Sequence, residues 1–428
     1  MRYNWNKDLK EGQDLSIFGS ALGYLKECND ELILQVGTQG TVIENLINSM
    51  ANRRVYIGAS DRTQFAFSFL QYELGRCCCY NGEVRPDVYI IGKDANVPAN
   101  DPATDIGIVI SGSSLTNPAV NAMDVLTDSK VKTFFLTYTT PEQAKEEQKR
   151  IKDETGKIVP SVWDYFVKQH RYEERIIYLP MREQIYRREK RRASLAPMGT
   201  KFELNAGTTA MGLANGLRTY HASKNGNMQK ETPIVSFLNT LANLRKLLDN
   251  DLPEQCYNTR FDIADFIQDL YGIPHKKLVG FGESEINVNS FVNRLTHCEH
   301  LGKGEKYENN KSVHILKSAY FGSISKNNMG IGISQSGDNP YTSFIMDEMK
   351  KQNPERIYLV TCHSEPKIKS FDKKIVLPPV ISGNEEAIPN IELGYLTIFT
   401  FLDSCIVQLA NKMGLDEEDM KNFHSKFG

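Results

Sequence analysis

The sequence lacks an apolar segment long enough to cross a membrane. Its most apolar late stretch, residues 395–410, is interrupted by Asp403 and is shorter than the ~20 residues that a spanning helix needs. The first eight residues, which include Arg2, Lys7 and Asp8, contain no apolar core of the kind that a signal peptide requires. We therefore expect a cytoplasmic protein with no membrane partner.

The chain also lacks a surplus of either charge. Its 51 lysine and arginine residues are balanced by 53 aspartate and glutamate residues, which gives a formal net charge of −2. Such a chain has no overall field to attract polyanions, so we expect no nucleic-acid partner, and any phosphate has to be recognised locally. The hydrophobic fraction of 40% is that of a globular enzyme and excludes a disordered chain.

A disulfide framework is absent as well. The eight cysteines are irregularly spaced, and three of them are adjacent at Cys77, Cys78 and Cys79. Neighbouring residues of a strand point to opposite faces, so this run does not form a paired set. We expect reduced and mostly buried thiols, with the cysteine run filling a strand or its edge.

With 428 residues the chain is too long for one ordinary domain. Residues 221–227 are polar and contain glycine, which is typical of a linker. We place the boundary there, with a first domain at residues 1–225 that includes N-terminal helices and a second at 226–428 that ends in a C-terminal helix.

Each half contains short apolar segments separated by helical ones. Because these segments show almost no polar alternation, they indicate strands buried on both faces of parallel sheets. The same order in both halves indicates a duplicated domain, since solenoid repeats are only about 20–50 residues long. The expected strands are 55–57, 88–91, 106–110, 133–137 and 176–179, then 278–280, 313–316, 330–333, 357–361 and 375–377.

Helices are expected around these strands. Residues 30–51 carry apolar side chains at helical spacing and predict one amphipathic helix that leads into the first sheet. Residues 140–172 are expected to form a helical insertion between the fourth and fifth strands, with charges typical of a solvated face. Further helices are expected at 202–220, 235–249 and 391–413.

The third strand of each half runs into a serine-rich loop. Residues 111–118 read Ser-Gly-Ser-Ser-Leu-Thr-Asn-Pro, and residues 334–340 read Ser-Gln-Ser-Gly-Asp-Asn-Pro. In each loop we expect the asparagine to cap the following helix and the proline to occupy its first turn. A helix N-terminus favours anions, to which clustered hydroxyls can donate. An ordinary turn has the same composition, but the recurrence of the loop in both halves favours two phosphate sites.

The first strand of each half ends in a turn of small residues, at 58–62 and 280–284. Glycine there lets the chain turn sharply and lets a ligand approach the backbone. Ligands of open parallel sheets bind beyond the carboxyl ends of the strands. The turn and the serine loop of one half are therefore expected to frame one pocket.

These loops and turns resemble those of the sugar isomerase (SIS) family. Residues 334–338 are similar to the loop of glucosamine-6-phosphate synthase, and residues 110–113 and 194–203 are similar to 6-phospho-3-hexuloisomerase. The resemblance covers nearly the whole chain. It implies an α/β protein with two SIS domains, each a five-stranded parallel sheet flanked by helices in a flavodoxin-like three-layer sandwich.

Both halves depart from the family pattern. Where the family usually has Gly-Glu-Thr, residues 114–116 read Ser-Leu-Thr and residues 337–339 read Gly-Asp-Asn. Residues 58–60 read Gly-Ala-Ser, without the second glycine that is more usual. The chain begins Met1-Arg2, without the cysteine nucleophile of a glutamine-dependent synthase, so we do not expect amide transfer from glutamine.

The resemblance implies that polar side chains of both loops and turns hold the sugar phosphate. The candidates are Ser60, Ser111, Ser113, Ser114 and Thr116 in the first half, and Ser284, Ser334, Gln335, Ser336, Asn339 and Thr342 in the second.

Aldose–ketose isomerisation moves a proton between adjacent carbons and needs a carboxylate base. Glu203 is the first candidate, and Glu392 begins the equivalent helix of the second half. Both carboxylates are expected at the start of a helix. The alternative is therefore that each is catalytically inert and is only stabilised by the helix dipole. His221 follows Glu203 at a separation that resembles the glutamate–histidine separation of related isomerases, with a C-terminal helix cap as the alternative.

No cofactor and no metal are expected. His297 and His300 lie three residues apart on an expected helix, but they supply only two ligands. The basic run at residues 182–192 precedes the 194–203 segment. Such a run is typical of a solvent-exposed connecting segment, and the alternative is that its positive charges attract the phosphate of the ligand.

The leading hypothesis is a phosphosugar aldose–ketose isomerase that acts through an enediolate on hexose, hexulose or amino-sugar phosphates. Its expected partners are the sugar phosphate and further copies of this chain, in a homodimer or higher homo-oligomer. Two alternatives stay open, namely a non-catalytic phosphosugar-binding or regulatory protein, and a deglycase or lyase of the same fold.

Overall fold

The computed structural model describes residues 3–51, 53–59, 61–77, 87–92, 99–180, 200–224, 231–301, 312–317, 324, 326–378 and 393–415. Within these ranges the framework consists of two five-stranded sheets in which all paired strands are parallel. The expected fold class is therefore confirmed.

All ten expected strands are present, with bounds that differ by up to three residues. The first sheet contains β1 (Arg54–Ala59), β2 (Val88–Ile90), β3 (Asp105–Ile110), β4 (Lys132–Thr137) and β5 (Ile176–Tyr178). The second contains β6 (His275–Val279), β7 (Ser312–Ile315), β8 (Asn328–Ile333), β9 (Arg356–Thr361) and β10 (Lys373–Val376). The strand orders, β2-β1-β3-β4-β5 and β7-β6-β8-β9-β10, are the same.

Helices cover the faces of both sheets. Along the chain they are α1 (Ser16–Gly37), α2 (Gly40–Met50), α3 (Asp61–Cys77), α4 (Asn117–Asp128), α5 (Pro141–Thr155), α6 (Val162–Phe166), α7 (Thr200–Lys224), α8 (Pro233–Lys246), α9 (Leu252–Asn258), α10 (Arg260–Gly272), α11 (Ser284–Leu301), α12 (Pro340–Lys351) and α13 (Gly394–Lys412). The insertion between β4 and β5 is helical as expected, with α5, α6 and a short 3₁₀ turn at Tyr172–Arg175.

Three predictions of local structure are wrong in detail. The single helix expected at 30–51 is two helices, because α1 begins at Ser16 and the chain breaks between Gly37 and Gly40, where glycine weakens helix propagation. The helix expected at 235–249 leaves α-geometry after Lys246 and passes through a π turn at Leu247–Asp251. Cys77 is the last residue of α3 and does not lie in a strand.

One continuous apolar core joins the two halves. The strands β3 and β8 at the middle of the sheets are buried at every residue. Helix α1 packs against α13 near the other end of the chain, where the rings of Phe18 and Phe401 lie 6.0 Å apart. The Phe18 N–H also donates to Gln408 Oε1 at 2.9 Å. The proposed boundary at 225/226 falls among residues 225–230, outside the described residues, and stays a proposal.

Two other expectations concern the chemistry of the surface and the thiols. Among the described helices, none is long and apolar enough to cross a membrane.

The cysteines whose side chains are described are free and buried, at Cys28, Cys256, Cys298, Cys362 and Cys405.

Candidate functional site

The two serine loops have the same backbone course. The first leads from β3 into α4 and the second from β8 into α12, and these helices are both 12 residues long. The fourth residue of each loop has a positive φ, +61° at Ser114 and +68° at Gly337. Both loops lie at the carboxyl edge of their sheet, as expected of ligand-binding loops in open parallel sheets.

A threonine at the end of the neighbouring strand fixes the second position of each loop. Thr137 Oγ1 donates to the Gly112 carbonyl at 3.0 Å, and Thr361 Oγ1 donates to the Gln335 carbonyl at 3.1 Å. The loops are therefore held in one shape by equivalent hydrogen bonds.

Helix capping differs between the loops. Asn339 caps α12 as expected, because its Oδ1 accepts from the N–H groups of Tyr341 and Thr342 at 3.1 and 3.0 Å. The expected cap at Asn117 is wrong, because Thr116 takes the N-cap position, five residues after Ser111 just as Asn339 is five residues after Ser334. The Thr116 hydroxyl turns across the loop to the Ser111 hydroxyl, 3.0 Å away.

Two helix N-termini meet at the second loop. Ser284 is the first residue of α11, and its Oγ accepts from the Gln335 N–H at 3.4 Å. Ser284, Ser334 and Gln335 are buried, whereas Ser336 is exposed. The Ser336 hydroxyl donates to the Asp338 carboxylate. The turn after β6 and the serine loop after β8 thus form one site, which joins hydroxyls to the positive ends of α11 and α12.

The start of α13 closes one side of this site. A Cβ at Gly394 would lie 2.5 Å from Gln335 Nε2 and 2.7 Å from its Cδ, so a larger residue there would displace that side chain. The Cys362 Sγ lies 3.8 Å from the Gly394 carbonyl oxygen. On another side, the rings of Phe281 and Tyr341 lie 5.6 Å apart, and Tyr341 is 67% exposed.

The first serine loop is more enclosed by surrounding side chains than the second. A Cβ at Gly112 would lie 2.4 Å from the Tyr138 ring, which also packs edge-on against Phe202 at 5.6 Å. Tyr138 follows β4 as Cys362 follows β9, so a large ring stands where the second half has a small thiol. Ser113 and Thr116 stay half-buried at the surface of this loop.

Ser114 is held entirely by protein contacts. Its hydroxyl donates to the Ser113 carbonyl at 2.5 Å and accepts from Thr139 Oγ1 at 3.1 Å. The N–H of Val162 in the insertion donates to the Ser114 carbonyl at 2.8 Å, and the residue is fully buried. These contacts fix the loop and leave the Ser114 hydroxyl without a hydrogen to donate to a ligand.

Comparison with family models and with curated proteins finds no match. Comparison with solved structures finds the same architecture along most of the chain. A candidate phosphosugar isomerase from Clostridium difficile 630 has a TM-score of 0.59 at 13% identity, covering 95% of this chain and 98% of that one. The C-terminal domain of glucosamine-fructose-6-phosphate aminotransferase from Francisella tularensis has a TM-score of 0.57 at 12% identity, covering 95% and 99%. Tagatose-6-phosphate ketose/aldose isomerase from Escherichia coli has a TM-score of 0.53 at 10% identity, covering 95% of each chain.

This chain has the tandem SIS fold. At these identities the likeness concerns the fold, and the site has to be argued from this chain's own residues.

Within the SIS framework Glu203 takes part in a buried ion-pair cluster. It lies in the first turn of α7 and is 4% exposed, and its Oε2 accepts from Arg294 Nη2 of α11 at 2.8 Å. Arg294 Nε lies 3.0 Å from Asp403 Oδ1 of α13. The cluster of Glu203, Arg294 and Asp403 thus joins a helix of the first half to two helices of the second. Nothing local in the sequence signals it, because Arg294 and Glu203 are 91 residues apart.

His221 does not come near Glu203 in the same chain. Both residues belong to the uninterrupted helix α7, 18 residues apart. At 1.5 Å per residue they are separated by about 27 Å along the helix axis. The two side chains therefore cannot act on one substrate within a single copy of the chain.

Two predicted site residues, Ser60 and Glu392, lie outside the described residues. Thr342 lies in the first turn of α12 with its side chain fully buried, so only its backbone faces the cap. Among the described residues no group of three or more His, Cys, Asp or Glu side chains is placed to hold a metal ion. His297 Nδ1 donates to the Asn293 carbonyl at 2.6 Å.

Proposed function

We propose that this protein binds a sugar phosphate at the second serine loop and interconverts its aldose and ketose forms. The proposal is carried by the meeting of two helix N-termini at Ser284 and Gln335, beside the exposed hydroxyl of Ser336. The first loop, covered by Tyr138, is the weaker candidate for the same ligand.

The phosphate would be held without a lysine or arginine. Within the described part of the chain, the N–H groups of Ser336 and Asp338 donate to no protein atom and lie just before α12. Together with the hydroxyls of Ser284 and Ser334, and with that of Ser336 once it turns from the Asp338 carboxylate to the ligand, they supply the donors that a phosphate needs at the positive end of a helix. The Asp338 carboxylate lies 3.8 Å from Lys367 Nζ, which offsets its charge.

The rest of the sugar would lie between the start of α13 and the aromatic pair of Phe281 and Tyr341. Ligand pockets combine apolar walls with a few polar groups that fix orientation, and an exposed tyrosine ring provides both. The Gln335 side chain, packed on Gly394, would donate to or accept from a sugar hydroxyl.

The chemical step needs a carboxylate that removes a proton from one carbon and returns it to the next, while the hydroxyl proton moves to the former carbonyl oxygen. Glu203 is occupied by Arg294, so we assign the base of the second-half site to Glu392. The assignment rests on sequence position, since the described chain resumes at Leu393 and Gly394 lies against Gln335.

An isomerase assay on hexose and hexulose 6-phosphates tests this proposal. The protein is expected to interconvert at least one such pair, and Glu392→Gln is expected to lower turnover about 100-fold with sugar-phosphate affinity unchanged. Glu355→Gln, an exposed carboxylate away from the loop, serves as the matched control and should behave as the unmodified protein. Turnover that survives in Glu392→Gln would refute the base, and no turnover on any substrate would refute the isomerase.

A second function is favoured by one observation. The carboxylate with the best sequence resemblance to a catalytic base, Glu203, is buried in an ion pair. A protein that binds a sugar phosphate without converting it would show this arrangement. Thermal stabilisation by hexose 6-phosphates without any product would support that reading over the isomerase.

A further inference from the structure

A basic cavity lies beside the first sheet, away from both serine loops. It has a volume of about 540 Å³ and is formed between the β3–β4 connection, the start of β4 and the end of the insertion. Its charged lining residues are Lys130, Lys132, Lys168, Arg171 and Arg175, with one carboxylate at Glu174.

The cavity is at the amino edge of the sheet. Lys132 is the first residue of β4, whereas the loop-fixing Thr137 is the last. Five steps of about 3.3 Å each separate the two edges by roughly 17 Å. A ligand in the cavity therefore cannot reach the first serine loop.

Arg175 is the most buried cation of the cavity. It is 7% exposed, and its guanidinium donates to the carbonyls of Thr133 and Arg171, each at 3.3 Å, to Gln169 Oε1 at 2.9 Å and to the His170 carbonyl. Among the described residues it forms no ion pair with a carboxylate. Burial also lowers the pKa of Arg175, because its charged form is partly removed from water.

Lys132 shares this unbalanced charge. Its Nζ donates to Ser49 Oγ at 2.8 Å, a neutral partner. Burial lowers its pKa, and the charges of Arg53 and Arg175 lower it further. The one acidic lining residue, Glu174, lies 3.6 Å from Arg171, and both side chains are exposed. Glu174 thus offsets only one of the five positive charges of the cavity, although the chain as a whole carries a formal charge of −2.

We propose that this cavity binds a small anion with two or more phosphoryl charges, at a site separate from the sugar-phosphate site. Guanidinium and ammonium groups from separate segments converge on it, as in sites that hold phosphate through charge-assisted hydrogen bonds. The volume falls in the range of small-molecule pockets, about 300–1,000 Å³, which favours a compact ligand over a macromolecule.

Pyrophosphate is the probe for the test, titrated calorimetrically at constant ionic strength. The triple variant Lys132→Gln, Lys168→Gln, Arg171→Gln removes three exposed cations of the cavity and leaves buried Arg175 in place. Its affinity for pyrophosphate is expected to fall at least about 10-fold, because each lost charge-assisted bond weakens binding. The control Lys145→Gln, Lys149→Gln, Lys152→Gln removes the same charge from exposed positions on α5 and is expected to bind as the unmodified protein does.

A further arm separates this site from the serine loop. Pyrophosphate affinity is expected to be unchanged in Ser336→Ala, so the result does not depend on the proposed isomerase. The proposal is overturned if the unmodified protein does not bind pyrophosphate, if the cavity variant binds as tightly as its control, or if Ser336→Ala abolishes binding.

Discussion

Replacement of Arg294 with methionine is expected to destabilise the protein by about 3–5 kcal/mol. The guanidinium is 1% exposed and faces two carboxylates, with Glu203 Oε2 at 2.8 Å and Asp403 Oδ1 at 3.0 Å. Methionine fills a similar volume but leaves both carboxylates buried without their cation. The measurement is urea unfolding followed by circular dichroism.

Two companion variants separate charge from packing. Arg150→Met removes exposed pairs to Glu147 and Glu154 on α5 and is expected to cost less than about 1 kcal/mol. Adding Glu203→Gln and Asp403→Asn to Arg294→Met removes the stranded charges and is expected to recover most of the lost stability. An Arg294→Met protein as stable as Arg150→Met, or no recovery in the triple variant, would contradict the structural role of the cluster.

The substitution Gly337→Ala is expected to weaken sugar-phosphate binding about 100-fold. Gly337 has a φ of +68°, which costs a residue with a Cβ roughly 1–2 kcal/mol. The new Cβ would also lie 2.5 Å from Pro366 Cβ and 3.0 Å from its Cα, and overpacking of this kind costs about 1–3 kcal/mol. The loop can relieve both only by moving Ser336 away from the start of α12.

Two other glycines serve as controls for this variant, with affinity measured by titration calorimetry. Gly156→Ala at the end of α5 tests a positive φ away from the loop, because φ there is +72° and no atom lies within 4 Å of the added Cβ, and it should leave binding unchanged. Gly272→Ala at the end of α10 has neither the positive φ nor a close neighbour, and should leave binding unchanged. Equal affinity in Gly337→Ala and Gly272→Ala would mean that the loop does not hold the ligand.

The repeating framework could be predicted from sequence because its signals are local. Strands buried on both faces read as apolar runs, and the proline and glycine of each serine loop mark the turn into a helix. The apolar periodicity did not predict the break between α1 and α2, because the helical spacing of apolar residues continues across the segment from Gly37 to Gly40.

The site was less predictable than the fold, because the contacts that distinguish the two serine loops form between residues far apart in sequence. The ring of Tyr138 closes over Gly112, and no short pattern links the two. Glu203 ends the segment that resembles 6-phospho-3-hexuloisomerase, yet its partner Arg294 comes from the other half of the chain. His221 lies far from Glu203 because α7 is one uninterrupted helix. Helix propensity alone did not predict that the helix would continue without a break from Glu203 to His221.

The central claim is that the second serine loop binds the phosphate of a sugar. A crystal soaked with fructose 6-phosphate tests it most directly. We expect the phosphate at the N-terminus of α12, within hydrogen-bond distance of the hydroxyls of Ser284 and Ser336, with the sugar beside Gly394. A phosphate bound at the first loop beside Ser113, or at neither loop, would contradict the claim.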